Sequence, residues 1–227
     1  YADGGDVLIL KPMLLKANIK GDKIPGGETQ LTLSAEVSAD MNKEIAEINA
    51  LDFMALGTAL KGQIKAENIL SGQPSINGNI DLQGKDLAQL FKILEIEPLA
   101  SQLAKLTDKT FDLKTTFNAD LERNDVDVST LTLNVLGNAI NAEIYARNIK
   151  SATPAAKGSL KASGKDLSAL IKIASQFMGD NSKAIASLSK QLNAAPKAFE
   201  IDTSFDADLK TGMVDVPTLS INALGMT

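Results

Sequence analysis

The sequence predicts an α+β fold built from tandem repeats, each a four-stranded antiparallel meander followed by two short helices. Three observations carry that expectation. A motif recurs at Leu51-Asp-Phe-Met-Ala-Leu-Gly57, Leu131-Thr-Leu-Asn-Val-Leu-Gly137 and Leu219-Ser-Ile-Asn-Ala-Leu-Gly225, with copies 80 and 88 residues apart. Apolar and polar residues alternate over stretches of about ten residues, the period of a strand with one dry face. After Gly84 and Gly164 the apolar spacing becomes helical. A fixed internal period of this kind marks a repeat architecture.

The elements follow in order. Residues 1–29 are irregular and read as the tail of an upstream module and a loop, with Gly21, Pro25, Gly26 and Gly27 marking the loop. The first module occupies 30–110, the second 111–198, and 199–227 form the first hairpin of a truncated third. Each module opens on an alternating strand: Leu31, Leu33, Ala35, Val37 and Ala39, then Phe111, Leu113, Thr115, Phe117 and Ala119, then Phe199, Ile201, Thr203, Phe205 and Ala207. Each of these ends on Ala-Asp, at Asp40, Asp120 and Asp208. The second strand carries Ile48, Val128 or Val216 and runs into the Leu-Gly motif, where glycine turns the chain by tolerating positive φ. The third strand shows Leu60, Gly62, Ile64 and Ala66, or Ile140, Ala142, Ile144 and Ala146; Pro74 and Pro154 introduce a fourth.

The helical signal lies in Leu87, Leu90, Phe91 and Leu94, and again in Leu167, Leu170, Ile171 and Ala174. Asp86 and Asp166 are placed as N-caps or first-turn acids. A second helix is expected over 99–106 and 185–192, and the eight-residue difference between copies falls near Gly179-Asp-Asn181, in a connection rather than a strand.

Composition narrows the function. With 28 Asp and Glu against 23 Lys and Arg, the net charge of −5 leaves no basic stripe for nucleic acid. The chain has no Cys and no His, which removes thiolate chemistry and the commonest general base and metal ligand. No apolar run approaches the ~20 residues of a membrane-spanning helix. Two groupings invite a chemical reading. Ser187 and Lys190 have a Ser-x-x-Lys spacing, without the companion motifs of such hydrolases, on a lysine-rich helix where the triplet arises easily. Asp120, Glu122, Asp125 and Asp127 surround a turn and offer oxygens to a calcium ion, but their spacing is not that of a calcium loop. The expectation is a non-enzymatic chain with no metal and no cofactor.

What remains is the apolar strand face. Either it is a closed core under the helices, making the chain a structural or protein-binding repeat, or it lines an open trough for an apolar ligand. Uncovered apolar faces of this size mark interaction sites. A long, regular, aromatic-poor trough suits acyl chains, and its candidate lining residues are Leu113, Phe117, Leu133, Ile140, Ile144 and Leu160.

Residues 131–149, 154–160 and 164–171, with the matching pattern at 51–69, 74–82 and 84–91, resemble the C-terminal repeats of the AsmA family of bacterial envelope proteins, which includes the TamB-like proteins. The resemblance covers most of 30–227. It implies a periplasmic segment of a protein anchored in the inner membrane of a Gram-negative bacterium by a helix outside this chain. It also implies a role in phospholipid transport or outer-membrane assembly along a β-lined hydrophobic groove, with phospholipid and other envelope proteins as partners.

Overall fold

The computed structural model describes residues 2–3, 7–22, 24, 26–93, 95–96, 100–101, 103–106, 108–165 and 198–223. Twelve strands form one sheet in which each strand pairs antiparallel with its sequence neighbours, from β1 at one edge to β12 at the other. The strands are β1 (Ala2–Asp3), β2 (Val7–Lys20), β3 (Glu28–Asp40), β4 (Ile45–Ala55), β5 (Thr58–Glu67), β6 (Ser75–Gly84), β7 (Phe111–Asp120), β8 (Asp125–Val135), β9 (Asn138–Arg147), β10 (Ala155–Gly164), β11 (Phe199–Asp208) and β12 (Met213–Ala223).

This corrects the expected α+β class. The described chain is nearly all antiparallel β, with one short helix, α1 (Leu87–Ile93), in the connection between β6 and β7. Ala100, Ser101 and Leu103 have helical backbone and Ala104 donates to the Ala100 carbonyl at 2.9 Å, but this is a turn in the same connection and not a second layer. The helical spacing after Gly84 is local: seven residues cannot cover strands of ten, and the connection that holds α1 loops past the end of the sheet so that β6 pairs directly with β7 of the next repeat. The helices expected over 166–192, with Asp166, Ser187 and Lys190, lie outside the described residues.

The turns show how the repeat is encoded. Leu136 and Gly137 have φ of 55° and 73°, and Leu56 and Gly57 have 57° and 70°. Two successive positive φ values are the signature of the type I′ turn that matches strand twist. Leucine is unusual there, since left-handed backbone costs a non-glycine residue ~1–2 kcal/mol. At the opposite end, Asp40, Asp120 and Asp208 each accept backbone N–H bonds from their own turns, at 3.0 Å from Lys43, at 3.0 Å from Glu122 and Arg123, and at 2.8 and 3.1 Å from Lys210 and Thr211. The recurrent Ala-Asp strand ending is therefore a turn device.

Among the described residues the close-packed cluster is small and lies at one end of the sheet. Ala88 and Leu103 are buried against Leu87, Phe91, Leu106 and Leu136, beside the Leu-Gly turn of β8–β9. Asp86 caps α1 by accepting the Gln89 N–H at 3.0 Å, and Leu87 donates to the Lys109 carbonyl at 2.9 Å, which draws the helix start to the foot of β7. α1 thus closes an end of the sheet and leaves the strand faces to either side.

Candidate functional site: an apolar sheet face

Residues paired across an antiparallel sheet project to the same side, so the register sorts every side chain onto one of two faces. One face resolves into five rows running across the strands. Counting from the Leu-Gly turns, the second row is Leu15, Leu33, Phe53, Leu60, Leu82, Leu113, Leu133, Ile140, Ala162, Ile201 and Ile221. The fourth is Leu10, Val37, Ile48, Ile64, Gly78, Phe117, Val128, Ile144, Gly158 and Phe205. None of the five rows contains a charged residue. The opposite face holds the charges, with cross-strand ion pairs Lys61–Asp52 at 3.6 Å, Lys114–Asp81 at 3.8 Å and Lys161–Asp202 at 3.1 Å. These pairs are solvated and each contributes little to stability.

The six expected lining residues come together on the apolar face. Leu113, Leu133 and Ile140 are consecutive in the second row, Leu160 lies in the third opposite Ala142, and Phe117 and Ile144 lie in the fourth on either side of Val128. All six retain partial solvent exposure. The distribution of burial is informative. In the first row Phe111, Val135 and Phe199 are buried, whereas in the other four rows the buried residues are all alanines: Ala35, Ala142, Ala156, Ala162 and Ala207. The bulky side chains of rows two to five are shielded by their neighbours in the sheet but keep access to solvent.

Two features of this face have no counterpart in the expectations. Four glycines stand directly opposite phenylalanines: Gly84–Phe111, Gly78–Phe117, Gly164–Phe199 and Gly158–Phe205. In each pair the ring occupies the space that a Cβ on the glycine would need, 2.9 Å from Cζ of Phe205 at Gly158 and 3.1 Å from Cζ of Phe117 at Gly78. The ring lies over the bare backbone and restores the packing that glycine lacks. The sequence signal was the matched spacing of glycine and phenylalanine between successive strands, legible only once register is known. The second feature is a bulge in β2, β4, β8 and β12, always between the third and fourth rows. Its signal is the three-residue step from Ile48 to Leu51, Val128 to Leu131 and Val216 to Leu219, where alternation predicts two.

In the first row Asn138, buried between Val135 and Gly164, donates through Nδ2 to the carbonyls of Val135 at 3.3 Å and Leu136 at 3.0 Å and so closes the turn. Its equivalent Thr58 borders a cavity of about 660 Å³ at the same end, lined also by Met54, Leu56, Lys85, Phe111 and Asp112. That cavity straddles the end of the sheet and does not coincide with rows two to five.

The acidic residues near the β7–β8 turn are engaged separately. Asp120 serves its turn, and Asp125 accepts from the Tyr145 hydroxyl at 3.2 Å and the Asn148 N–H at 2.9 Å. The Asp125 carboxylate raises the Tyr145 pKa, chiefly through that hydrogen bond, and the Lys157 ammonium stands 5.7 Å from the ring centroid. Among the described residues no group of acids is arranged to hold a metal ion, and no helix is long and apolar enough to cross a membrane. Comparison with protein-family models, curated protein sequences and solved structures returned no match.

Proposed function

We propose that this chain is a non-enzymatic, lipid-handling segment of an AsmA-like envelope protein, working in the periplasm. In this reading phospholipid acyl chains lie against the apolar face during transport or outer-membrane assembly. The supporting observation is the face itself: charge-free rows cross β2–β12 and their bulky side chains, beyond the first row, stay partly open to solvent. Eleven strands about 4.8 Å apart and the four rows beyond the first, about 6.8 Å apart, span a footprint on the order of 1,000 Å². Apolar faces left partly open on this scale mark interaction sites. Each methylene settled on it gains ~0.8 kcal/mol when fully buried, so affinity is collective and a point change matters little unless it places a charge on the face.

The test is gentle purification followed by mass spectrometry of extracted lipid. Co-purifying phospholipid that is lost in a folded Ile144→Asp variant is the expected result. A lipid-free parent chain whose Ile144→Asp variant unfolds would show that the face is a closed core and would overturn the reading.

A further inference from the structure

We propose that the cavity beside the Leu56–Gly57 turn is a docking site for an amphipathic helix of a partner protein, one that presents leucine and phenylalanine a turn apart as α1 does. Leu56 and Leu136 are equivalent residues one repeat apart and share a left-handed backbone, with φ of 57° and 55°. That backbone is unfavourable for leucine. At Leu136 burial offsets it: the connection between β6 and β7, residues 85–110, brings Ala88 and Leu103, flanked by Leu87 and Phe91, against the side chain. At Leu56 the corresponding connection, between β2 and β3, is residues 21–27. It closes on itself, the Gly21 N–H donating to the Gly27 carbonyl at 3.1 Å and the Gly27 N–H to the Ile24 carbonyl at 2.8 Å. Its described residues include no helix. Leu56 thus keeps the strained turn without the contact that offsets the strain in the second repeat.

The space beside that turn is the cavity of about 660 Å³, bordered by Thr29 and Gln30 at the start of β3, by Met54 and Leu56, and by Lys85 and Thr110 at the base of the next connection. Its volume is within the range of built binding cavities. The side chains differ from the second repeat in the sense that an apolar occupant requires. Met54, 55% exposed, stands where the second repeat has the exposed polar residue Asn134. The uncovered turn therefore carries more apolar surface than the covered one. Its cover is missing because an internal connection is short, with β2 on one side of it and β3 on the other. The second repeat supplies the occupant's chemistry: Leu87, Ala88 and Phe91 lie on one helix face, and such i, i+4 anchors are how helices are read in apolar grooves. α1 itself is not the occupant, being held at Leu136 and tied to Lys109 through the Leu87 N–H at 2.9 Å.

A synthetic peptide with the sequence of residues 85–106 is the probe, added to the intact 227-residue chain. The expected result is saturable binding with slowed amide exchange at residues 54–59. Binding should be about tenfold weaker in Leu56→Asn, the size expected when the burial of one leucine is lost. Asparagine tolerates left-handed backbone, so that variant keeps its fold, as circular dichroism would verify. Met54→Asn, which copies the second repeat, should weaken binding as well. No saturable binding, equal binding of a peptide carrying Leu87→Asn and Phe91→Asn, or protection at Leu136 in place of Leu56 overturns the proposal. Protection of residues 54–59 that rises with concentration of the chain alone assigns the cavity to a second copy and also overturns it. The proposal stands apart from lipid binding, since the cavity does not coincide with rows two to five.

Discussion

The ring of Phe205 lies over Gly158, its partner across the β10–β11 pair, so closely that a methyl group on the glycine would come within 2.9 Å of Cζ and 3.0 Å of Cε1. The same group would also meet the carbonyl oxygen of Glu143 in β9. Backbone on one side and a ring on the other leave no easy relief. Gly158→Ala is expected to destabilise by ~1–3 kcal/mol, the usual range for overpacking. Pairing it with Phe205→Leu should recover part of the loss, measured as a double-mutant cycle in urea.

The two leucines in left-handed turns should respond differently to asparagine, which tolerates that backbone. Leu136 packs against the buried Ala88–Leu103 cluster. Leu136→Asn should therefore destabilise by about 1 kcal/mol or more, since lost burial exceeds relieved strain. Leu56 has no part in that cluster. Leu56→Asn should be neutral or stabilising by up to ~1 kcal/mol in the same urea titration.

Truncations on the apolar face should divide by row. Phe199, 1% exposed, belongs to the closed end, and Phe199→Ala should cost ~3–5 kcal/mol. Leu133 lies one row further out and stays partly exposed, so Leu133→Ala should cost less than about 2 kcal/mol. Equal losses in thermal unfolding would contradict an open face.

Acid should loosen the turn ends first. Asp40 is held below the usual carboxylate range mainly by its hydrogen bond to the Lys43 side chain, and Asp208 mainly by the backbone N–H groups of Thr211 and Lys210. A carboxyl with a lowered folded pKa binds fewer protons folded than unfolded. Its contribution is therefore present above the unfolded value of about 3.9 and is lost as pH falls through the folded value. The urea midpoint should be flat near neutrality and fall below about pH 4. Asp208→Asn should reduce that fall, leaving the neutral-pH midpoint only slightly lower.

Alternation made the strands legible. Leu113, Thr115, Phe117 and Ala119 report a strand because one side is apolar, and the 80-residue copy fixes each residue's equivalent. The six lining candidates fall on one face for the same reason. Layer arrangement was less accessible. The spacing of Leu87, Leu90 and Phe91 reports a helix, but where that helix sits depends on the Leu87–Lys109 backbone bond and on contacts with Leu136, which periodicity does not encode. The pairing of β6 with β7 across that connection, which makes one sheet of the repeats, is equally nonlocal. The glycine–phenylalanine pairs were hidden because neither residue is unusual until the two strands are aligned.

The bulges of β2, β4, β8 and β12 share one line between the third and fourth rows. Each adds local twist at the same height on the strand, so together they form a crease with three rows on one side and two on the other. Adding four strands and their connection would extend that crease without shifting it. The cross-section is thereby a property of one repeat and the length a property of their number, and the two can vary independently.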